Sequence, residues 1–112
     1  MHISEQIKED ALILGLRGRL DSNTSEPFEQ RMTAIIDAGN RRLVVDLTKL
    51  EYISSAGLRV LLMGAKRLKN EEGRLVLCGL QDHIREVFEV SGFLEILTVV
   101  DDEDAALAAV VE

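Results

Sequence analysis

Two short runs, Leu43-Val44-Val45 and Leu75-Val76-Leu77-Cys78, are apolar on every consecutive residue. A strand with one wet face alternates between apolar and polar side chains, whereas a strand covered on both faces need not. The two runs therefore predict central strands of a largely parallel sheet. Parallel neighbours require long crossover connections, so helices must stand between these strands. The intervening segments have that character. After Ser54-Ser55 the apolar residues recur as Leu58, Leu61, Leu62, Ala65 and Leu68, which share one helical face, and Glu72-Gly73 closes the segment. Upstream, Phe28, Met32, Ile35 and Ile36 follow at helical spacing and should face the sheet. Thr24 or Ser25 can cap that helix, Pro27 suits its first turn, and Gly39 takes the usual terminating position.

The rest of the chain completes the pattern. Ile3 to Lys8 and Ala11 to Arg17 read as two strands, with Leu12, Leu14 and Leu16 on one face of the second. The connection at Glu9-Asp10 is short enough for an antiparallel hairpin. Gly18 to Asn23 reads as a polar loop. Beyond Cys78, Asp82 can cap a helix with Ile84, Val87, Phe88 and Ser91 on its inner face, ending at Gly92. Ile96 to Val100 reads as a short last strand, and Asp101 can cap a final alanine-rich helix, Ala105 to Val111. The prediction is one α/β domain over residues 1–112, with a mixed, mostly parallel sheet of about five strands and about four helices.

Composition narrows the function. A 46% hydrophobic content supports a packed interior, and with only Phe28, Phe88, Phe93 and Tyr52 as aromatics the core must be aliphatic. Charge interrupts each apolar run well short of the ~20 residues a membrane span needs. The opening residues lack a basic segment followed by an apolar one, so no secretory signal is expected. A single cysteine, Cys78, fits a reducing cytoplasm, and its place in an apolar strand predicts ordinary burial. The net charge of −7 argues against a nucleic-acid partner. Arg59, Lys66, Arg67 and Lys69 read as a solvated helix face, and Asp101-Asp102-Glu103-Asp104 as a negatively charged helix start.

Signatures of catalysis are missing. There is no phosphate-binding glycine loop of the mononucleotide or dinucleotide type. His2 and His83 have no second ligand at metal spacing, so no metal or cofactor is expected, and His83 reads as solvent-facing. A hydrolytic role for Ser55 is disfavoured, because no nucleophile elbow surrounds it and no base is placed for it. A serine at a helix start has two other jobs. Its oxygen can cap free backbone N–H groups, or it can carry a phosphoryl group into the field of the helix dipole. In the second case the added charge of roughly −1.5 to −2 would act on a docked partner rather than on the fold. Ala56 and Gly57 would keep the approach to that hydroxyl uncrowded.

The segment Asp46-Leu47-Thr48, continued by Tyr52-Ile53-Ser54-Ser55-Ala56-Gly57-Leu58, resembles the signature of STAS domains, specifically the bacterial anti-sigma factor antagonists. Gly18-Arg19-Leu20-Asp21 is similar to the loop these domains carry after their second strand, and the likeness runs from Ile3 to Val110. The resemblance implies a non-enzymatic switch protein. Its unphosphorylated form would bind an anti-sigma factor that is also a serine kinase of the histidine-kinase-like ATPase type, freeing a sigma factor. Phosphorylation of one serine would loosen the complex, and a PP2C-type phosphatase would restore it. By position that serine is Ser55, with Asp21 and Asp46 nearby. Many relatives have aspartate before the acceptor; this chain has Ser54, the alternative acceptor. The expected partner surface comprises Asp21, Ser54, Ala56, Gly57, Arg59 and Met63, the last either exposed or packed beneath a neighbouring helix. A different implied role is that of a STAS adaptor subunit in a signalling assembly, a secretion regulator or a lipid-transport complex, without modification of Ser55.

Overall fold

The two apolar runs lie next to each other, inside a five-stranded sheet. In a computed structural model, which describes residues 1–111, the strands are β1 (His2–Lys8), β2 (Ala11–Leu20), β3 (Arg42–Ile53), β4 (Arg74–Cys78) and β5 (Thr98–Val100), side by side in that order. β1 pairs antiparallel with β2, and the remaining pairings are parallel. Glu9 and Asp10 form the hairpin turn with φ of 52° and 66°. Both therefore adopt the left-handed conformation that two-residue hairpin turns of this hand require.

Three helices connect the parallel strands, α1 (Ser25–Asp37), α2 (Ser55–Asn70) and α3 (Asp82–Val90), and a fourth, α4 (Glu103–Val110), follows β5. The three crossovers all step in one direction along the sheet, so their common handedness sets α1, α2 and α3 on one face. There Leu14, Leu43, Val45, Leu47 and Leu77 meet Phe28, Met32, Leu61, Leu68 and Phe88. The opposite face carries a second, smaller core in which Ile13, Val44, Val76 and Cys78 meet Ala106, Leu107 and Val110 of α4. Two covered faces explain the consecutive apolar residues of β3 and β4. Each large aliphatic side chain buried this way contributes about 1.5–3 kcal/mol.

Several predicted boundaries move. β2 runs to Leu20 rather than Arg17, so Gly18, Arg19 and Leu20 belong to a strand and the loop shrinks to the residues around Asp21. β3 does not end with its apolar run at Val45 but continues through Ile53. The cause is a pair of bulges. Opposite the steps Gly15 to Arg17 and Gly18 to Arg19, β3 spends one residue more than β2. Each extra residue resets the alternation, so Leu47, Leu50 and Ile53 all reach the core at intervals of three.

The last strand is shorter than Ile96–Val100. A 3₁₀ turn over Phe93–Glu95 precedes it, Ile96 is exposed, and Leu97 is buried. Caps shift by one residue. Asp102, not Asp101, accepts from the Ala105 N–H at 2.8 Å, and Gln81 rather than Asp82 holds the cap position of α3. Asp82 instead lies in the first turn, where its charge meets the helix dipole. Among the described residues no helix is long and apolar enough to cross a membrane.

Candidate functional site

The neighbouring serines at the head of α2 have different surroundings. Ser54 is extended, with φ −96° and ψ 170°, and its N–H donates to the Leu20 carbonyl at 2.9 Å, continuing the β2–β3 ladder by one step. Its hydroxyl oxygen accepts from the Gly57 N–H at 3.2 Å. Ser54 is therefore the cap, a job that aspartate performs equally well. Ser55 is the first helical residue and is exposed. Among the described residues its hydroxyl has no hydrogen-bond partner, so the oxygen is spare. The first turns of α1, α3 and α4 contain acidic residues, and that of α2 contains none. The positive end of the α2 dipole is thus uncompensated by its own side chains.

Gly57 has a different role from the one its sequence position suggests. It is buried, and a Cβ there would lie 2.7 Å from Leu20 Cγ and 3.1 Å from Ile53 Cγ1. The missing side chain lets the start of α2 seat on the ends of β2 and β3. Gly57 opens no approach to a ligand. Ala56, half-buried beside it, does reach the surface.

Next to Ser54 the chain turns from β2 into α1. Neither Thr24 nor Ser25 caps α1 with its hydroxyl as expected. The Thr24 hydroxyl turns back to the Arg19 carbonyl at 2.8 Å, and the Ser25 hydroxyl donates to the Asp21 carbonyl. Asp21 organises the turn instead: its carboxylate accepts from the N–H groups of Asn23 at 3.0 Å and Thr24 at 3.1 Å. Partial desolvation pushes the Asp21 carboxyl up. Those two N–H groups, the Thr24 hydroxyl and the Arg19 charge outweigh it, and the group settles below its ordinary value of 3.8. Arg19 stands 3.8 Å from Asp21 and 4.3 Å above the ring of Tyr52, its register partner on β3.

A groove of about 890 Å³ runs between α1 and α2 and reaches Ala56, the residue after Ser55. Its lining includes Ala34, Ala56, Val60 and Met63, with Glu26 and Glu29 from α1 and Arg59 from α2. Met63 is half-buried and rests against the main core, so it lies between the two expectations for it. Arg67 pairs with Asp37 across the two helices and with Glu71 at 2.8 Å.

The structure therefore brings Ser54, Ser55, Ala56, Arg59 and Met63 together with the Asp21 turn. It does not bring Asp46 there. That carboxylate lies eight residues before Ser54 on β3, opposite Gly15 where Ser54 follows the Leu20 pairing, roughly 16–20 Å away along the sheet, and it accepts from the Thr48 N–H at 2.9 Å. Cys78 is buried, and burial first, then the charges of Asp46, Glu103 and Asp102, push its thiol up to about 12. His83 is exposed, and its Nε2 must donate to the Glu51 carbonyl 2.7 Å away, because a carbonyl only accepts. Sequence reasoning missed the α1 wall of the groove. Its signal was present in Glu26, Glu29, Thr33 and Asp37, which recur at helical spacing on the side away from Phe28 and Met32.

Comparison with known proteins agrees with this architecture. The family model described as the STAS domain matches residues 2–106. The chain is 52% identical over 98 residues to BtrV of Bordetella bronchiseptica, named as a candidate anti-sigma factor antagonist, covering 88% of this chain and 84% of BtrV. The crystal structure of a candidate anti-sigma factor antagonist from Thermotoga maritima superposes with a TM-score of 0.92, at 19% identity, over 98% of this chain and 95% of that one. SpoIIAA of Bacillus, an anti-sigma factor antagonist, shares the fold in its unphosphorylated form (TM-score 0.72, 19% identity, 93% of this chain and 92% of that one). It does so equally in its phosphorylated form (TM-score 0.71, 21% identity, 93% and 96%). The sheet order, the serine-led α2 and these matches place the chain in the STAS domain family, among the anti-sigma factor antagonists.

Proposed function

We propose that the unphosphorylated protein binds an anti-sigma factor serine kinase of the histidine-kinase-like ATPase type and so releases a sigma factor. Phosphorylation of Ser55 reverses that binding, and a PP2C-type phosphatase resets it. The protein works in the cytoplasm as substrate and ligand; catalysis and nucleotide belong to the kinase. One observation carries the reading: Ser54 satisfies the helix start, which leaves the exposed Ser55 hydroxyl uncommitted. A phosphoryl group added there meets the positive end of α2 and removes no internal hydrogen bond. The residue next to Ser55, Ala56, and Arg59 one turn on line the α1–α2 groove.

Intact-mass measurement after incubation with candidate kinases and ATP tests the proposal. One phosphoryl group is expected on the wild type and on Ser54→Ala, and none on Ser55→Ala. A phosphoryl group that persists in Ser55→Ala and disappears in Ser54→Ala moves the switch to the capping residue. No modification by any kinase encoded alongside this chain overturns the switch in favour of an unmodified adaptor.

A further inference from the structure

We infer that Arg59 is the residue that receives the phosphoryl group on Ser55, and that the switch works partly by withdrawing this guanidinium from the partner. The inference rests on the reading of Ser55 as acceptor and goes beyond it by assigning a second residue. Ser55 and Arg59 are four residues apart on α2, the spacing at which helical side chains meet. Helical side chains lean toward the helix N-terminus, and Arg59 does so: its Nε lies 3.5 Å from the Ser55 carbonyl oxygen. Both residues are exposed. Arg59 is the sole cation in the first eleven residues of α2, since the next is Lys66, about three turns away from Ser55.

Arg19, beside the neighbouring Asp21 turn, is committed elsewhere, being shared between Asp21 and the Tyr52 ring. No carboxylate pairs with Arg59 among the described residues. Glu26 and Glu29 line the facing wall of the groove. A phosphoryl group at position 55 therefore shares its helix with one guanidinium that no carboxylate pairs and whose Nε, among the described residues, donates only to the Ser55 carbonyl. Pairing with Arg59 is the arrangement that relieves its charge, through the charge-assisted hydrogen bonds this pair of groups makes well. Before modification the same guanidinium faces outward, available to an acidic or carbonyl group of the docked kinase. Modification thus adds an anion to the docking surface and removes a cation from it.

The test does not depend on any kinase. Phosphoserine is installed at position 55 during synthesis by an expanded genetic code, and its second ionisation is followed by phosphorus NMR at low salt. Arg59→Gln is expected to raise that pKa by roughly 0.3–0.7 of a unit, the size an exposed ion pair gives. Lys66→Gln is expected to leave it unchanged. The Arg59 Nε–H resonance of the wild type should also move when phosphoserine replaces serine. An Arg59→Gln protein that titrates with the wild type overturns the inference, and so does an equal shift in Lys66→Gln, which would reveal only a diffuse field. Failure here leaves the switch at Ser55 intact, whereas failure of the intact-mass test leaves this titration unaffected.

Discussion

Ser54 and Ser55 separate under substitution because one oxygen is used and the other is not. Ser54→Ala leaves the Gly57 N–H without its acceptor and should lower stability by about 1 kcal/mol, while Ser54→Asp should restore it. Ser55→Ala should stay within about 0.5 kcal/mol of the wild type. Urea midpoints read both. Gly57→Ala is the harsher change, since its Cβ would lie 2.7 Å from Leu20 Cγ; overpacking of this kind costs about 1–3 kcal/mol. Asp21 adds a pH signature. Its folded carboxyl sits below 3.8, so the folded state releases the proton more readily than the unfolded chain does. Its stabilisation is present above that value and is lost as pH falls through the lower, folded one. Urea unfolding of the wild type and Asp21→Asn between about pH 5 and pH 2 should show the two stabilities converging on acidification. Parallel curves across that range would show that the turn does not depend on the charge.

At the scale of elements, the sequence disclosed whatever kept its period and hid whatever broke it. The inner strands and the faces of α1 and α2 were readable because Val44 and Val76 are apolar where an alternating strand would be polar, and because Phe28, Met32 and Leu61 hold helical spacing. The second half of β3 was not, since two bulges turn its period from two into three. The same bulges carry β3 on to Ile53, so Ser55 emerges beside the Asp21 turn and far from Asp46. The groove wall on α1 needed tertiary structure, because solvated and partner-facing glutamates look alike in sequence. α4 was legible as a helix, whereas its role as the cover of the second core, the sole one among the described residues, was not. That role predicts a local opening. With its thiol buried and its pKa pushed up to about 12, Cys78 should resist a disulfide reagent in the folded wild type. Leu107→Ala weakens the α4 seat by about 2 kcal/mol or more, and if α4 opens as a unit the thiol should react at least tenfold faster. Unchanged reactivity would mean that Cys78 is reached only by global unfolding.

For the whole molecule, the question is whether negative charge at position 55 alters the scaffold or only what the scaffold presents. Ser55 is exposed above a core it does not enter, and α2 is held underneath by Leu58, Leu61 and Leu68. Ser55→Asp should therefore keep the circular dichroism spectrum and the urea midpoint of the wild type, within about 0.5 kcal/mol, while weakening the kinase complex at least tenfold, or about 1.4 kcal/mol. Salt then separates two causes. The chain starts at a net charge of −7, and if the weakening comes from added negative charge against a complementary surface, it should shrink as ionic strength rises from about 0.05 to 0.5 M. If it comes from bulk pressed into a fitted contact, it should persist at every salt concentration, and Ser55→Leu should reproduce it. A Ser55→Asp protein that unfolds early would place the effect inside the fold, and the docking surface would then no longer account for the switch.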